Sequence, residues 1–315
     1  MTREPTATVV VVCRDRWSLA PETVHTLLAR TDSRHAVVVV DTGAPSAVGA
    51  AFDRLAAVDR ICVVRRPEFL AGNEARNLGA DGVRTEWIAF VENDTVVSDG
   101  WLETLLGLGE RTAAASVYPA YLEPADPEPI VHGVGADLDV GGPEGRRFLR
   151  EHQHHLGAPW SAVAAGLEPV ARVQGEPHLL VMRREFLDAM GGFDEGLLGW
   201  FDHTDVALHH LRLSAESWLA PDATCLYRSP PPVSWSDLPS FSLRWGHEWF
   251  DRSLTHLCTT WGLDPNDGEW ATHEGYRTAI RRGVYARWPR VSAVIDHAVA
   301  PIDRVVAQRW DARRA

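Results

Sequence analysis

Two carboxylates one residue apart, Glu92 and Asp94, close the apolar run WIAFV at 87–91. A strand ending in Glu-Asn-Asp can present hard oxygen ligands at the carboxyl edge of a parallel sheet. That edge is where open α/β folds bind their ligands. Such a pair suits Mn²⁺ or Mg²⁺ holding a diphosphate. The same triplet also suits a solvated turn, since Asn and Asp are common turn formers.

Other groups capable of chemistry are spread along the chain. Asp41 ends the run HAVVVVD, where a carboxylate can accept hydrogen bonds from a nucleobase or ribose, or can cap a helix or turn. Arg76 and Asn77 sit in NEARNLGA, just ahead of the acidic strand, and can face a diphosphate at a helix N-terminus. Asp194, Glu195, Asp202, His203 and Asp205 crowd into residues 191–212, where Asp202 also reads as a helix cap. Trp200 and Phe201 beside them can wall a sugar or simply fill the core. His152, Gln153, His154 and His155 lack regular ligand spacing and read as a solvated loop or part of an acceptor lid.

Placing these residues requires an alternation of strands and helices. ATVVVV (7–12), HAVVVVD (35–41), ICVVRR (61–66) and WIAFV (87–91) have strand length and are apolar throughout. Helical patterns over 21–30, 47–58, 74–83 and 100–110 separate them, followed by AAASVYP (113–119). That order predicts βαβ units and a mostly parallel sheet covered on both faces. Residues 119–145 hold five prolines and predict a loop or small β excursion. Residues 178–196 return to strand and helix, 216–229 read as paired short strands, and 241–261 as one helix.

Composition narrows the classes of function. The chain has 315 residues and a net charge of −12, which argues against broad nucleic-acid binding. It contains no lysine, so all 31 basic residues are arginine. Schiff-base chemistry and a phosphate-loop lysine are therefore excluded. The N-terminus does not read as a signal peptide, and no apolar run spans a bilayer, so a cytoplasmic protein is expected. Four scattered cysteines read as buried thiols in a reducing compartment.

Taken in order, VVVVCRDR, VVVVDTG, NEARNLGADGVRTEWIAFVENDTVVSDGWLE, GGFDE and FDHTDVALHHLR resemble the family 2 glycosyltransferases of the GT-A fold. The resemblance covers roughly residues 7 to 230 and implies an α/β fold with a Rossmann-like central sheet. It implies a transferase domain over 1–230, divided into a nucleotide-binding half (1–118) and an acceptor half (119–230). A helical, Trp-rich extension would follow over 231–315.

It further implies a UDP- or GDP-sugar donor, an acceptor hydroxyl of unnamed identity, and Mn²⁺ or Mg²⁺ as cofactor. Arg14, Asp41, Arg76 and Asn93 would contact the nucleotide. Glu92 and Asp94 stand at the family's DXD motif, with Glu92 a departure from the usual aspartate. Gly175, Glu176 and Trp200 would meet the sugar or acceptor. His203 occupies the place where the catalytic aspartate commonly sits, so Asp202 and His203 are both candidates for the base of an inverting transfer. A retaining transferase and a degenerate nucleotide-sugar binding protein are the alternatives. LYRSP (226–230) has no histidine where the family often supplies a metal ligand, and His247 is the substitute candidate.

In the C-terminal part, Phe241, Trp245, Trp249, Leu257 and Trp261 recur at multiples of four, which predicts a packing or dimer face. The amphipathic tail at 293–314 is basic at its end and suggests contact with a partner subunit or a membrane surface.

Overall fold

The computed structural model describes residues 6–57, 61–228, 233–285, 301 and 303–314. The first half runs β1 (Ala7–Val12), α1 (Ala20–Ala29), β2 (Ala36–Thr42), α2 (Ser46–Ala56), β3 (Ile61–Arg66), α3 (Gly72–Ala80), β4 (Trp87–Glu92), β5 (Thr95–Val97) and α4 (Trp101–Thr112). The second half begins with β6 (Ser116–Glu123), β7 (Ile130–Gly133), β8 (Ala136–Gly141), β9 (Phe148–Gln153), α5 (Trp160–Val163) and β10 (Val170–Ala171). It continues with β11 (Leu179–Arg183), α6 (Arg184–Met190), α7 (Asp202–Leu213), β12 (Ser217–Tyr227), α8 (Leu238–Trp245), α9 (His247–Trp261) and α10 (Glu269–Tyr285). Residues 303–312 are helical again; the start of the predicted tail helix, 293–300, lies outside the described residues.

The main sheet has the order β10-β12-β6-β11-β4-β1-β2-β3. Its first-half strands, β3-β2-β1-β4, are parallel. β1 and β4 are buried along their whole length, which is why their sequences are apolar without alternation. Helix α3 lies so close to the sheet that a Cβ at Gly79 would sit 2.3 Å from Val10 and 2.7 Å from Val40. The glycine of NEARNLGA therefore sets the depth at which Arg76 enters the molecule.

Beyond β4 the sheet is mixed. β11 runs antiparallel to both β4 and β6, and β6 pairs with β12 in parallel. Register brings Val12 opposite Glu92 and Leu179 opposite Val91. The residue ahead of β11, His178, consequently lies beside Glu92, whose N–H donates to its carbonyl at 2.9 Å.

Several segments differ from the sequence-based expectation. Residues 217–227 form one strand with an irregularity between Ala220 and Thr224, because both parts stay paired to β6. Of the histidine cluster expected as a loop, His152 and Gln153 end β9, which pairs with β8 in a separate two-stranded sheet, while His154 and His155 follow it in a bend. The single helix expected at 241–261 is broken at Gly246, whose extended backbone ends α8 and opens α9. Cys62 is exposed on β3, an edge strand, while Cys13, Cys225 and Cys258 are buried thiols.

The aromatic row of α8 and α9 packs inside the chain. Phe241, Trp245, Phe250 and Leu257 share a core with Leu149, Leu197, Trp200 and Phe201. Trp249 and Trp310 join Phe69, Ala71 and Leu198 in a smaller cluster. The tail is fastened there: Trp310 Nε1 donates to the Phe69 carbonyl at 2.7 Å, and Arg314 makes a two-pronged contact with Glu74 at 2.7 and 2.9 Å. No described helix is long and apolar enough to cross a membrane.

Candidate active site

The carboxyl ends of β1 and β4 meet loops that carry the charged residues. Glu92, the last residue of β4, is fully buried. Its carboxylate accepts hydrogen bonds from Arg14, from Arg76 at 2.6 Å and from His178 Nδ1 at 2.7 Å. Burial opposes the charge on Glu92. The field of Arg14, His178 and Arg76 outweighs that effect and holds its carboxyl well below the usual range. Asp94 is equally buried; one oxygen pairs with Arg16, and Oδ1 has no hydrogen-bond partner.

Helix α7 brings in a second acidic group. Phe201, in the left-handed conformation at φ +64°, ends the turn that delivers Asp202 to the first position of the helix. Asp202 accepts from Arg76 at 2.9 Å and lies 3.7 Å from Arg14, so the two arginines bridge the two acidic elements. Burial raises its carboxyl, but Arg14, Arg76 and His203 more than reverse that and leave it strongly acidic. His203 sits within 4.0 Å of three carboxylates: Glu151 at 3.6 Å, Asp202 at 3.8 Å and Glu176 at 4.0 Å. Burial disfavours its cation, yet the three acids win and raise its pKa well above the ordinary histidine value.

Glu92, Asp94 and His178 each offer a donor atom within 4.8 Å of the others. Two carboxylates and an imidazole suit Mn²⁺ or Mg²⁺, and the partnerless Oδ1 of Asp94 is a buried polar atom in need of a cation. The residues therefore fit a divalent metal. Tyr227 stacks on His178 with ring centroids 3.8 Å apart, fixing the imidazole plane. A cavity of about 470 Å³ opens beside this group, walled in part by Arg14, His178, Trp200, Phe201, Asp202 and His203. A second cavity of about 400 Å³ is walled by Trp17, Gly43, Phe69, Leu243 and Trp310. The loop after β1 reaches both, with Arg14 in the first and Trp17 in the second.

Comparison with known proteins bears on this arrangement. Residues 8–157 match the family described as Glycosyl transferase family 2. The matched segment is just under half of the chain. A putative polypeptide N-acetylgalactosaminyltransferase 9 from Drosophila melanogaster is 23% identical over 290 residues, covering 82% of this chain and 42% of the relative. An uncharacterized protein, y4gI, of Sinorhizobium fredii (strain NBRC 101917 / NGR234) is 25% identical over 210 residues, covering 63% of this chain and 22% of the relative. The chain thus spans less than half the length of these curated relatives. Among solved structures, GalNAc-T7 with UDP, GalNAc and Mn²⁺ superposes with a TM-score of 0.56 at 15% identity, covering 89% of this chain and 55% of that one. The fold is GT-A, with a helical C-terminal region.

Within the matched segment and the region that follows it, the structure sorts the expected site residues. Arg14, Arg76, Glu92, Asp94, Asp202 and His203 come together as described. Asp41 stands at the end of β2, where it accepts the N–H of Ala44 and a bond from Arg65, both at 3.1 Å, two residues from the wall of the second cavity. Trp200 and Glu176 line the first cavity.

Three expectations need correction. Asn93 does not present its amide to a ligand: it accepts the N–H of Arg14 at 3.1 Å and donates to the Arg16 carbonyl at 2.6 Å, tying the two loops together. Gly175 makes room for Tyr118, whose ring would lie 2.6 Å from an added Cβ, and does not wall the cavity. His247 stands apart from Glu92 and Asp94, contacting Arg277 at 3.0 Å with Glu274 3.6 Å away. The imidazole at the acidic pair belongs to His178, which sequence reasoning missed. Its signal was a histidine directly ahead of the apolar run LLVM. His152 and His154 pair with Asp139 and Asp137 across the β8–β9 hairpin, each at 2.9 Å.

Proposed function

We propose that this protein transfers a sugar from a UDP-sugar to an acceptor hydroxyl, with a divalent metal bound by Glu92, Asp94 and His178. One observation carries the reading. A buried carboxylate–carboxylate–imidazole set lies against Arg14, Arg16 and Arg76, at the mouth of a cavity large enough for a sugar. The solved GT-A structure with UDP, GalNAc and Mn²⁺ supports the choice of uridine and of Mn²⁺.

The nucleoside would occupy the second cavity, between Trp17 and Phe69, with Asp41 beyond its edge. The diphosphate would run past the loop after β1 toward Arg14 and Arg76. These guanidiniums offer planar, two-pronged donors to phosphate oxygens and need no lysine. The bound metal would neutralise charge on the departing diphosphate.

Of the two base candidates, the geometry favours His203. Asp202 is held by two arginines and is weakly basic. His203, surrounded by Glu151, Asp202 and Glu176, takes a proton readily once its own is removed. It would accept the proton of the attacking hydroxyl, giving inversion at the anomeric carbon. A thermal-shift screen of UDP-sugars with and without Mn²⁺ tests donor and metal together. A ligand at 100 times its Kd stabilises by about 2.7 kcal/mol. No Mn²⁺-dependent shift with any UDP-sugar sinks the donor reading, and a retained anomeric configuration by NMR sinks His203 as base.

A further inference from the structure

The larger cavity carries more negative charge than the proposed transfer requires. A chain of contacts leads outward from Arg14 to Asp202, to His203, to Glu151, and on to His273 at 3.8 Å and Glu269. The acids along it divide by partner. Glu123 pairs with His132 at 2.8 Å, Asp202 with Arg76, and Glu151 with His203. Among the described residues Glu176 forms one ion pair, with the already shared His203 at 4.0 Å, while ring nitrogens of His132 and His178 lie within 4.8 Å. Glu269 accepts the backbone N–H of Glu151 and forms no ion pair among the described residues.

A separate feature points the same way. The Nε2 atom of His273 is buried in this wall with no hydrogen-bond partner among the described residues. Desolvation pushes the His273 pKa down, which favours the neutral ring. Phe201, itself fully buried, packs against it with ring centroids 5.1 Å apart and planes at 69°. Two carboxylates lacking a full cation partner and a buried imidazole nitrogen without a hydrogen bond together match a cation that also donates N–H bonds.

We propose that the outer part of this cavity, built by Glu151, Glu176, Glu269, His273 and Phe201, selects an acceptor carrying a protonated amine near the hydroxyl that receives the sugar. Amino sugars and aminocyclitols have this chemistry. The proposal rests on the glycosyl-transfer reading for the acceptor role, while amine binding itself is independent of turnover.

The test is calorimetric titration of the full chain, with UDP and Mn²⁺ present, using two probes and a control. Methyl β-glucosaminide keeps the amine cationic; its N-acetyl derivative removes the charge but adds an acetyl group, so methyl β-glucoside, with a neutral hydroxyl in place of the amine, is titrated beside it as the size-matched control. The free amine is expected to bind at least about 10-fold more tightly, the scale of one charge-assisted hydrogen bond. In Glu269→Gln the ratio should fall toward one. Equal affinity, preference for the N-acetyl form, or binding of neither overturns the proposal, and the wild-type pair alone decides this if the variant fails to fold. Titration with MnCl₂ alone covers the rival occupant. A Mn²⁺ site that disappears in Glu269→Gln and excludes the amine overturns the proposal in favour of a metal. UDP-sugar turnover is measured separately. Amine binding without turnover removes the transfer reading and leaves the amine site standing; turnover with amine indifference does the reverse.

Discussion

The side proposed for metal and diphosphate and the cavity proposed for the acceptor handle charge in opposite ways. At the first, Glu92, Asp94 and Asp202 are buried and met by Arg14, Arg16 and Arg76, with His178 bonded to Glu92, so each acid has at least one guanidinium against it. At the second, Glu176 and Glu269 lack that support, and His203 is shared among three acids. The contrast separates a preorganised part from a receptive part. The arginines hold the acids in place, and of them Arg14 also walls the cavity. The acceptor wall leaves charge for its ligand to complete.

The sharpest way to break this contrast is Glu92→Gln, which leaves Arg14, Arg76 and His178 buried around a neutral amide. Removing one partner of a buried ion cluster costs about 3–5 kcal/mol. Urea unfolding should show that loss, and Mn²⁺-dependent donor turnover should fall by about 10²-fold or more. If turnover and stability are both near wild type, the preorganised side has been misread. The next effect is chemical. His203→Ala should lower kcat by about 10²–10⁴-fold with little change in UDP affinity, the span expected for a general base. A variant that loses UDP binding in step with kcat would make His203 a positioning residue.

The pH dependence sharpens the acceptor side. Because the acids raise the His203 pKa well above its ordinary value, the base form accumulates at higher pH than for an ordinary histidine. Rate should therefore climb with pH, measured as kcat/KM. The stability that the His203 cation contributes has the opposite trend: it is fully present below the unfolded histidine pKa of about 6.5 and is lost as pH rises through the raised native value. Flat kcat/KM between neutral and alkaline pH removes His203 from proton transfer. The smallest effect is Arg314→Ala, which breaks a partly exposed pair with Glu74 worth about 0.2–1 kcal/mol. A melting shift of a few degrees or less is expected, and a larger one would mean that the tail bears on the nucleotide cavity more than one ion pair suggests.

Legibility from sequence followed locality. The parallel strands announced themselves because each is a continuous apolar run with a helix between it and the next. NEARNLGA and the Glu-Asn-Asp triplet were readable because their residues act within one βαβ unit. His178 was hidden because it meets Glu92 only after β11 inserts antiparallel beside β4, a pairing that leaves no spacing signature. Glu151, Glu269 and His273 converge from a hairpin and a distant helix, so no window of sequence contains their cluster. Asn93 was misassigned for a different reason. Its neighbours are ligands by type, but its own amide satisfies backbone groups that would otherwise be buried unpaired.

Helix α8 touches both cavities within three residues: Leu243 walls the one expected to hold the nucleoside, and Arg244 and Trp245 wall the one expected to hold the acceptor. A single rigid turn of backbone therefore serves as a common floor. Whatever displacement one occupant imposes on it is felt by the other, and thermodynamic reciprocity makes the coupling equal in both directions. An acceptor that binds better after UDP must itself tighten UDP by the same factor. Paired titrations in either order would measure that factor without any turnover.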